Sequence, residues 1–329
     1  MSHRKDTDYL SISTRIRAME NRMLNADKMN RLIDAKDHEE AAKILSECGY
    51  GTLTANTGSA LEQLLAKSRG ETMADMASSV PEPSLVAIFQ LKYDYHNVKV
   101  VLKALAQNLS PESLLLSGGT IDPSKILDCG RKGDYRELGD ILGKLGNEAK
   151  ELLATTSDPQ LADFLLDQGY FQEMIVLAKE TGSDFIVGYV QTMIDIANLR
   201  SVVRAARLEK EQDFLKLALV EGGKVSTYAI LHNQDFVNLF QGGGLSVAAV
   251  AGGKVASAEG GALTEFELLC DNALTAYLGN ARRIPFGEGP VIAYLAAKEN
   301  EITAIRSIMS GRMAGLDGDI LRSRLRAVE

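Results

Sequence analysis

The chain has 329 residues, 45% hydrophobic and 24% charged, values of a folded globular protein, and it is long enough for two or three domains. Its 44 acids against 36 bases leave a net charge of -8, which argues against nucleic acid as a partner, because neutralising phosphates needs clustered Lys and Arg. Cys48, Cys129 and Cys270 are odd in number, far apart and without a second Cys or His at ligand spacing, so neither a disulfide framework nor a zinc site is indicated.

From the N-terminus, MSHRKDTDYL lacks the apolar core of a signal peptide, and export is not expected. Tyr9, Ile12, Ile16, Met19 and Met23 follow at steps of three and four, one stripe of a helix with Arg15, Arg17 and Arg22 off it. Helices are predicted over Met29 to Ala35, over Glu39 to Ser46 with Gly49 as a left-handed cap, and over Leu61 to Ala77. Pro81-Glu82-Pro83-Ser84 is a break and a start signal, with Ser84 capping a helix from Leu85 to Asn108. Asp184 caps a helix over Phe185 to Glu211, and Pro290 fits the first turn of one running through Ser310.

Gln241 to Gly261, rich in Gly and Ala, reads as a helix of small residues between flexible turns. The longest uncharged run, Phe236 to Gly253, holds five glycines and polar side chains, too polar to span a bilayer. No run alternates as a strand does, so the fold class is all-α.

Three of these segments repeat one pattern: Asp94 to Ala104 (DYHNVKVVLKA), Asp195 to Ala205 (DIANLRSVVRA) and Glu301 to Gly311 (EITAIRSIMSG). An acid opens each, an aliphatic stands fifth, a base sixth, and apolar residues eighth and ninth. The shared positions are Asp94, Asn97 and Lys99, then Asp195, Asn198 and Arg200, then Glu301 and Arg306, with Ala304 where the others have Asn. A spacing near one hundred residues exceeds that of helical-hairpin repeats, so whole domains are repeated. The expected copies are 1–110, 111–212 and 213–329. Gly118-Gly119-Thr120-Ile121-Asp122 returns as Gly222-Gly223-Lys224-Val225-Ser226, with no clear counterpart in the first third.

On a helix the acid and base of each signature point about 140 degrees apart and cannot pair with each other. Asp94 and Asn97, three apart, share a face, as do Asp195 and Asn198. Acids or bases are therefore expected to meet partners on an adjacent helix of the same copy.

Chemistry is hard to find. Gly143-Lys144, Gly223-Lys224 and Gly253-Lys254 lack the hydroxyl residue that completes a phosphate-binding loop, so no nucleotide is expected. Gly287-Glu288-Gly289-Pro290 fails the dinucleotide pattern and follows no strand. There is no nucleophile elbow, metalloprotease helix or calcium loop, and no cofactor or metal is expected. His3, His38, His96 and His232 are scattered. An enzyme would need acids of one copy to converge with His96 or His232 in a pocket. Arg15, Arg17, Arg282 and Arg283 are candidate contacts for acidic partners, as are Arg322, Arg324 and Arg326, though solvated faces would look the same.

Tyr9 with TRIRAMENRML, Cys48-Gly49-Tyr50-Gly51, Leu91 to Lys99, and Pro285 to Arg312 together resemble the C subunit of bacterial and archaeal V-type (A-type) ATP synthases, similar also to the d subunit of the eukaryotic vacuolar pump. The resemblance covers nearly the whole chain. It implies a funnel of three similar helical domains about a pseudo-threefold axis. It also implies a rotor socket on the cytoplasmic face of the membrane, joining the D and F shaft subunits to the proteolipid ring, passing torque and hydrolysing nothing. A three-lobed helical adaptor outside any rotary ATPase would share most of these features.

Overall fold

Every regular element among the described residues is helical. The computed structural model describes residues 5–233, 235–257 and 261–325, apart from the side chain of Arg282. It divides into two units, one made of residues 1–86 and 275–329, the other of residues 87–274. Both boundaries fall inside long helices.

The first unit draws on both ends of the sequence. From the first part come α1 (Leu10–Glu20), α2 (Ala26–Asp34), α3 (His38–Glu47) and α4 (Gly58–Ser79), which leads into α5 (Ser84–Ala106). Continuing in chain order, the second unit holds most of α5, then α6 (Pro123–Lys132), α7 (Asp140–Thr156), α8 (Pro159–Thr181), α9 (Asp184–Arg207), α10 (Gln212–Ala218), α11 (Thr227–His232), α12 (Phe236–Leu239), α13 (Ser246–Ala256) and most of α14 (Leu263–Gly279). The chain then returns to the first unit for α15 (Glu288–Met313) and α16 (Gly318–Ser323). Four single turns of 3-10 helix supplement these.

Short polar side chains set most starts. Asn25, Asp37, Thr57, Asp122, Asp158 and Ser226 each accept a backbone N–H of the first turn, satisfying donors that the helix cannot. Gly49 takes φ +87° behind α3, and the Tyr50 N–H reaches back to the Leu45 carbonyl at 3.1 Å. Two starts differ from expectation. Ser84 and Asp184 are already helical, and the position before Asp184 is Ser183, whose side chain makes no capping bond. The first apolar stripe also breaks early: Tyr9, Ile12 and Ile16 are buried, but Met23 lies past the end of α1.

In the first unit the core gathers Leu32, Leu45, Leu61, Leu65, Ile305 and Ile308, so α2, α3 and α4 bury their apolar faces against α15. In the second unit a core of Leu199, Val203, Phe240, Ala249, Phe266 and Cys270 joins α9, α13 and α14. The small residues of α13 have a packing reason. A Cβ on Gly252 would stand 2.7 Å from Val203 Cγ2 and 3.0 Å from Phe266 Cε2, so glycine lets three helices close on one another.

The three long helices that carry the signatures, α5, α9 and α15, end alike. Asn108 (φ +55°), Glu209 (φ +49°) and Gly315 (φ +72°) take the left-handed conformation fourteen residues after each acid. The N–H groups of Leu109, Lys210 and Leu316 then close on Ala104, Ala205 and Gly311 at 2.8, 2.9 and 2.9 Å. Glu209 is the strained member, since a Glu side chain crowds this backbone. Replacing Glu209 by Gly is expected to raise stability by about 0.5–1 kcal/mol, and Asn108→Gly by less, because Asn tolerates the conformation. Thermal midpoints of the two variants decide it: a loss in Glu209→Gly would mean that the side chain holds something that outweighs the strain.

Candidate functional site

The signatures converge on one arrangement, built three times. Asp94, at 0% exposure, takes the Thr120 and Ile121 N–H groups at 3.0 and 3.1 Å and the Thr120 hydroxyl at 2.6 Å. Asp195 takes the Val225 N–H at 3.1 Å, and Glu301 the Leu24 N–H at 2.6 Å. Ile121, Val225 and Leu24 each immediately precede the N-cap of a short helix, α6, α11 or α2. Each buried acid therefore fixes the chain where it turns into that helix, and the charge is spent on backbone donors rather than left to react.

This explains the glycine echo. A Cβ at Gly119 would fall 2.1 Å from Asp94 Oδ1, and one at Gly223 would fall 2.3 Å from Asp195 Oδ1, so only glycine lets the loop reach a short aspartate. The third counterpart is Arg22-Met23-Leu24-Asn25, which has no glycine and is held by the longer Glu301. Glu301 also accepts from the Tyr50 hydroxyl at 2.6 Å and pairs with Lys298 at 2.6 Å; Lys298 in turn sits 4.1 Å above the Tyr50 ring. The sequence marks neither Tyr50 nor Lys298 as a partner of this acid.

The asparagines make a second tie. Asn97 donates to the Leu116 carbonyl and accepts the Leu116 N–H, both at 2.8 Å, and Asn198 does the same with Val220, also at 2.8 Å. Each closes a backbone amide that lies on the way from helix end to clamped segment. In the third repeat that segment comes from the beginning of the sequence, so no such loop leads to it from α15, and Ala304 stands in place of Asn.

The bases point to the other side of each helix, as the angle requires. Lys99 pairs with Asp167 of α8 at 2.6 Å. Arg200 binds Glu267 and Asp271 of α14 at 2.5 and 2.9 Å, and Arg306 grips Glu62 of α4 through two bonds of 2.6 and 2.9 Å. The expectation of a neighbouring helix thus holds for the bases; the acids meet loop amides instead. In every case the partner belongs to the segment beyond the signature helix, across 110 or 212, and for α15 it belongs to the N-terminal segment.

Burial dominates the titration of these groups. It raises Asp94 above the usual carboxylate range despite its three donors, and it pushes Asp195 up to about 6 against the backbone N–H bonds and Lys224. Folding therefore holds a proton on Asp195 that the unfolded chain releases near pH 4. Stability from this group is present below that unfolded pKa and is lost as pH rises through the folded one, by on the order of 2–3 kcal/mol. Asp195→Asn removes the dependence: denaturant titrations at pH 5 and 7.5 should show the variant falling behind the parent only at the lower pH. Parallel curves would contradict this account of the buried carboxyl.

Of the arginines proposed for partners, Arg15 pairs with Asp75 and donates to the Ser79 hydroxyl at 2.9 Å, tying α1 to α4. Arg17 pairs with Glu20 at 2.9 Å. Arg283 is exposed in the 3-10 turn Asn280–Arg283, and the side chain of Arg282 lies outside the described residues. Arg322 pairs with Asp34 at 2.5 Å, while Arg326 lies outside the described residues.

His96 and His232 do not join an acid cluster; both are exposed, with ring nitrogens near the backbone carbonyls of Leu114 and Tyr228. The described residues hold no group of three His, Cys, Asp or Glu arranged for a metal, and none of their helices is long and apolar enough to cross a membrane. Burial raises all three thiols, Cys270 to about 12. What the repeated groups do is brace helices.

Comparison with known proteins gives this architecture relatives. The model of the family described as "ATP synthase (C/AC39) subunit" matches residues 12–324. The chain is 22% identical to the C subunit of the V-type sodium ATPase of Enterococcus hirae over 98% of its own length and 99% of that protein's. It is 23% identical to the C subunit of the A-type ATP synthase of Methanocaldococcus jannaschii, covering 96% of this chain and 86% of the relative. The corresponding C subunit of the V-type ATP synthase of Deinococcus radiodurans is likewise 23% identical, with 97% and 92% covered.

Proposed function

The chain belongs to the ATP synthase (C/AC39) subunit family, and from that we propose that it is the non-catalytic central-stalk subunit of a V/A-type rotary ATPase. It is the socket that joins the D and F shaft subunits to the membrane proteolipid ring and passes torque between them during ion transport. The observation that carries this reading is the end-to-end match: the chain and its Enterococcus relative cover 98% and 99% of each other, so the likeness concerns a whole subunit and not a borrowed domain.

A shaft of small cross-section has to be fixed to a wider ring, and that task needs stiffness rather than chemistry. Buried carboxylates spent on backbone amides, and helices bolted by ion pairs to their neighbours, supply stiffness. In this reading the protein is peripheral, on the cytoplasmic face, and held to the membrane through the ring. The repeats are three lobes of a funnel about a pseudo-threefold axis, and each lobe is better framed as a signature helix plus the segment it clamps than as 1–110, 111–212 and 213–329.

Arg15, Arg17, Arg282 and Arg283 are the contacts proposed for shaft or ring; Arg283, being exposed, is the most accessible. The test is co-elution of the purified chain with purified D and F, followed by native mass spectrometry. A one-to-one-to-one complex that weakens in Arg282→Glu/Arg283→Glu supports the reading and the contact. A well-folded chain that joins neither shaft nor ring would overturn it.

A further inference from the structure

Thirteen large apolar side chains stand exposed among the described residues, and six of them fall at one place in the repeats. After α5 come Leu109 (58% exposed) and Leu114 (57%); at the end of α9 and on α10 come Leu208 (63%) and Leu217 (50%); after α15 and on α16 come Leu316 (37%) and Ile320 (43%). The first of each pair flanks the left-handed residue that ends the signature helix, and the second lies on the short helical turn that follows, Glu112–Leu114, α10 or α16. Singly exposed leucines are ordinary, but recurrence at one register is not scatter. No clamp, core or ion pair described above requires an aliphatic side chain in water at these positions.

We propose that the three aliphatic pairs are the feet on which the protein stands on the proteolipid ring, each pair taking the same loop of a different ring protomer. This deepens the rotor reading and rests on it. The repetition selects the partner: a single shaft protein offers each of its surfaces once and can satisfy one such patch, whereas an assembly of identical copies offers one loop many times. The pairs are also distinct from Arg15, Arg17, Arg282 and Arg283, so the two kinds of contact can be separated by experiment.

The test uses the full chain, the purified ring in lipid nanodiscs, nanodiscs of the same lipid without protein, and purified D with F. One variant carries Leu109→Ser, Leu208→Ser and Leu316→Ser; a second carries Leu114→Ser, Leu217→Ser and Ile320→Ser, in case the first disturbs the helix ends. Parent-like unfolding curves are expected of both, because the side chains are exposed. Ring binding should weaken by about tenfold or more in each, with binding to D and F unchanged. Undiminished ring binding in both variants overturns the proposal, as does a loss confined to D and F. Equal binding of the parent to empty nanodiscs would assign the leucines to lipid and overturn it too. If the parent fails to bind the ring at all, the rotor reading falls, and not this assignment alone.

Discussion

Replacing Glu301 by alanine is expected to cost about 3–5 kcal/mol, the usual consequence of leaving one member of a buried ion pair alone. Lys298, 13% exposed at its side chain, would lose its counter-charge, and the Leu24 amide and Tyr50 hydroxyl would lose their acceptor. Glu301→Gln keeps an acceptor of the same length without the charge, and is expected to cost about half as much. The loss has a location as well as a size. Since Glu301 sits on α15 and grips the segment that opens α2, hydrogen exchange should accelerate in α2, α3 and α15, while α6 to α8 stay protected. A cost below about 1 kcal/mol in Glu301→Ala, or exchange rising evenly through the chain, would show that the carboxylate is not the tie between the two ends of the sequence.

Asn198→Ala is expected to cost about 2–5 kcal/mol, and Asn97→Ala a similar amount, because each leaves a backbone N–H and a carbonyl without their partner. Asn198 and the amide it closes are both buried, Asn198 at 0% and Val220 at 4% exposure, so water cannot stand in. The informative control is the reverse change. If the third repeat simply lacked a favourable residue, Ala304→Asn would stabilise it. Since no loop runs from the end of α15 to Leu24, the introduced amide finds no backbone to close, and the variant is expected to be neutral or worse. A gain of about 1 kcal/mol or more, measured by denaturant unfolding, would contradict this explanation of the missing asparagine.

The all-α class and most helix positions were legible because helical periodicity and short polar caps are local signals, written within a few residues of one another. Asp94, Asp195 and Glu301 were legible as equivalents for the same reason, and so was the opposed direction of acid and base. Their partners were not. Asp167, Asp271 and Glu62 stand 68, 71 and 244 residues from the bases they bind, and no spacing rule connects them. The third clamp was hidden by chemistry: glycine is required only where the gripping acid is a short aspartate, so Leu24, held by a glutamate, carries no glycine signal. Glu209 was missed as a helix terminator because Glu is a residue of helix interiors, unlike Asn108 and Gly315.

The frame of the repeat shows the same limit. Residue 110 lies just past α5 and looks like a boundary in the sequence, yet Asp94 and Lys99 both bind what comes after it. Only the contacts reveal that a signature helix belongs with the segment that follows, and that the segment completing the third one lies at the start of the sequence.

The central claim is that this protein links a motor to a membrane ring without performing chemistry. It is tested most directly by assembling the rotary complex of the same organism with and without the chain, and measuring ATP hydrolysis and ATP-driven ion uptake on the same vesicles. The account predicts that the complex lacking the chain still hydrolyses ATP but moves no ions, and that adding the purified chain restores uptake. Full ion uptake without it would contradict the account.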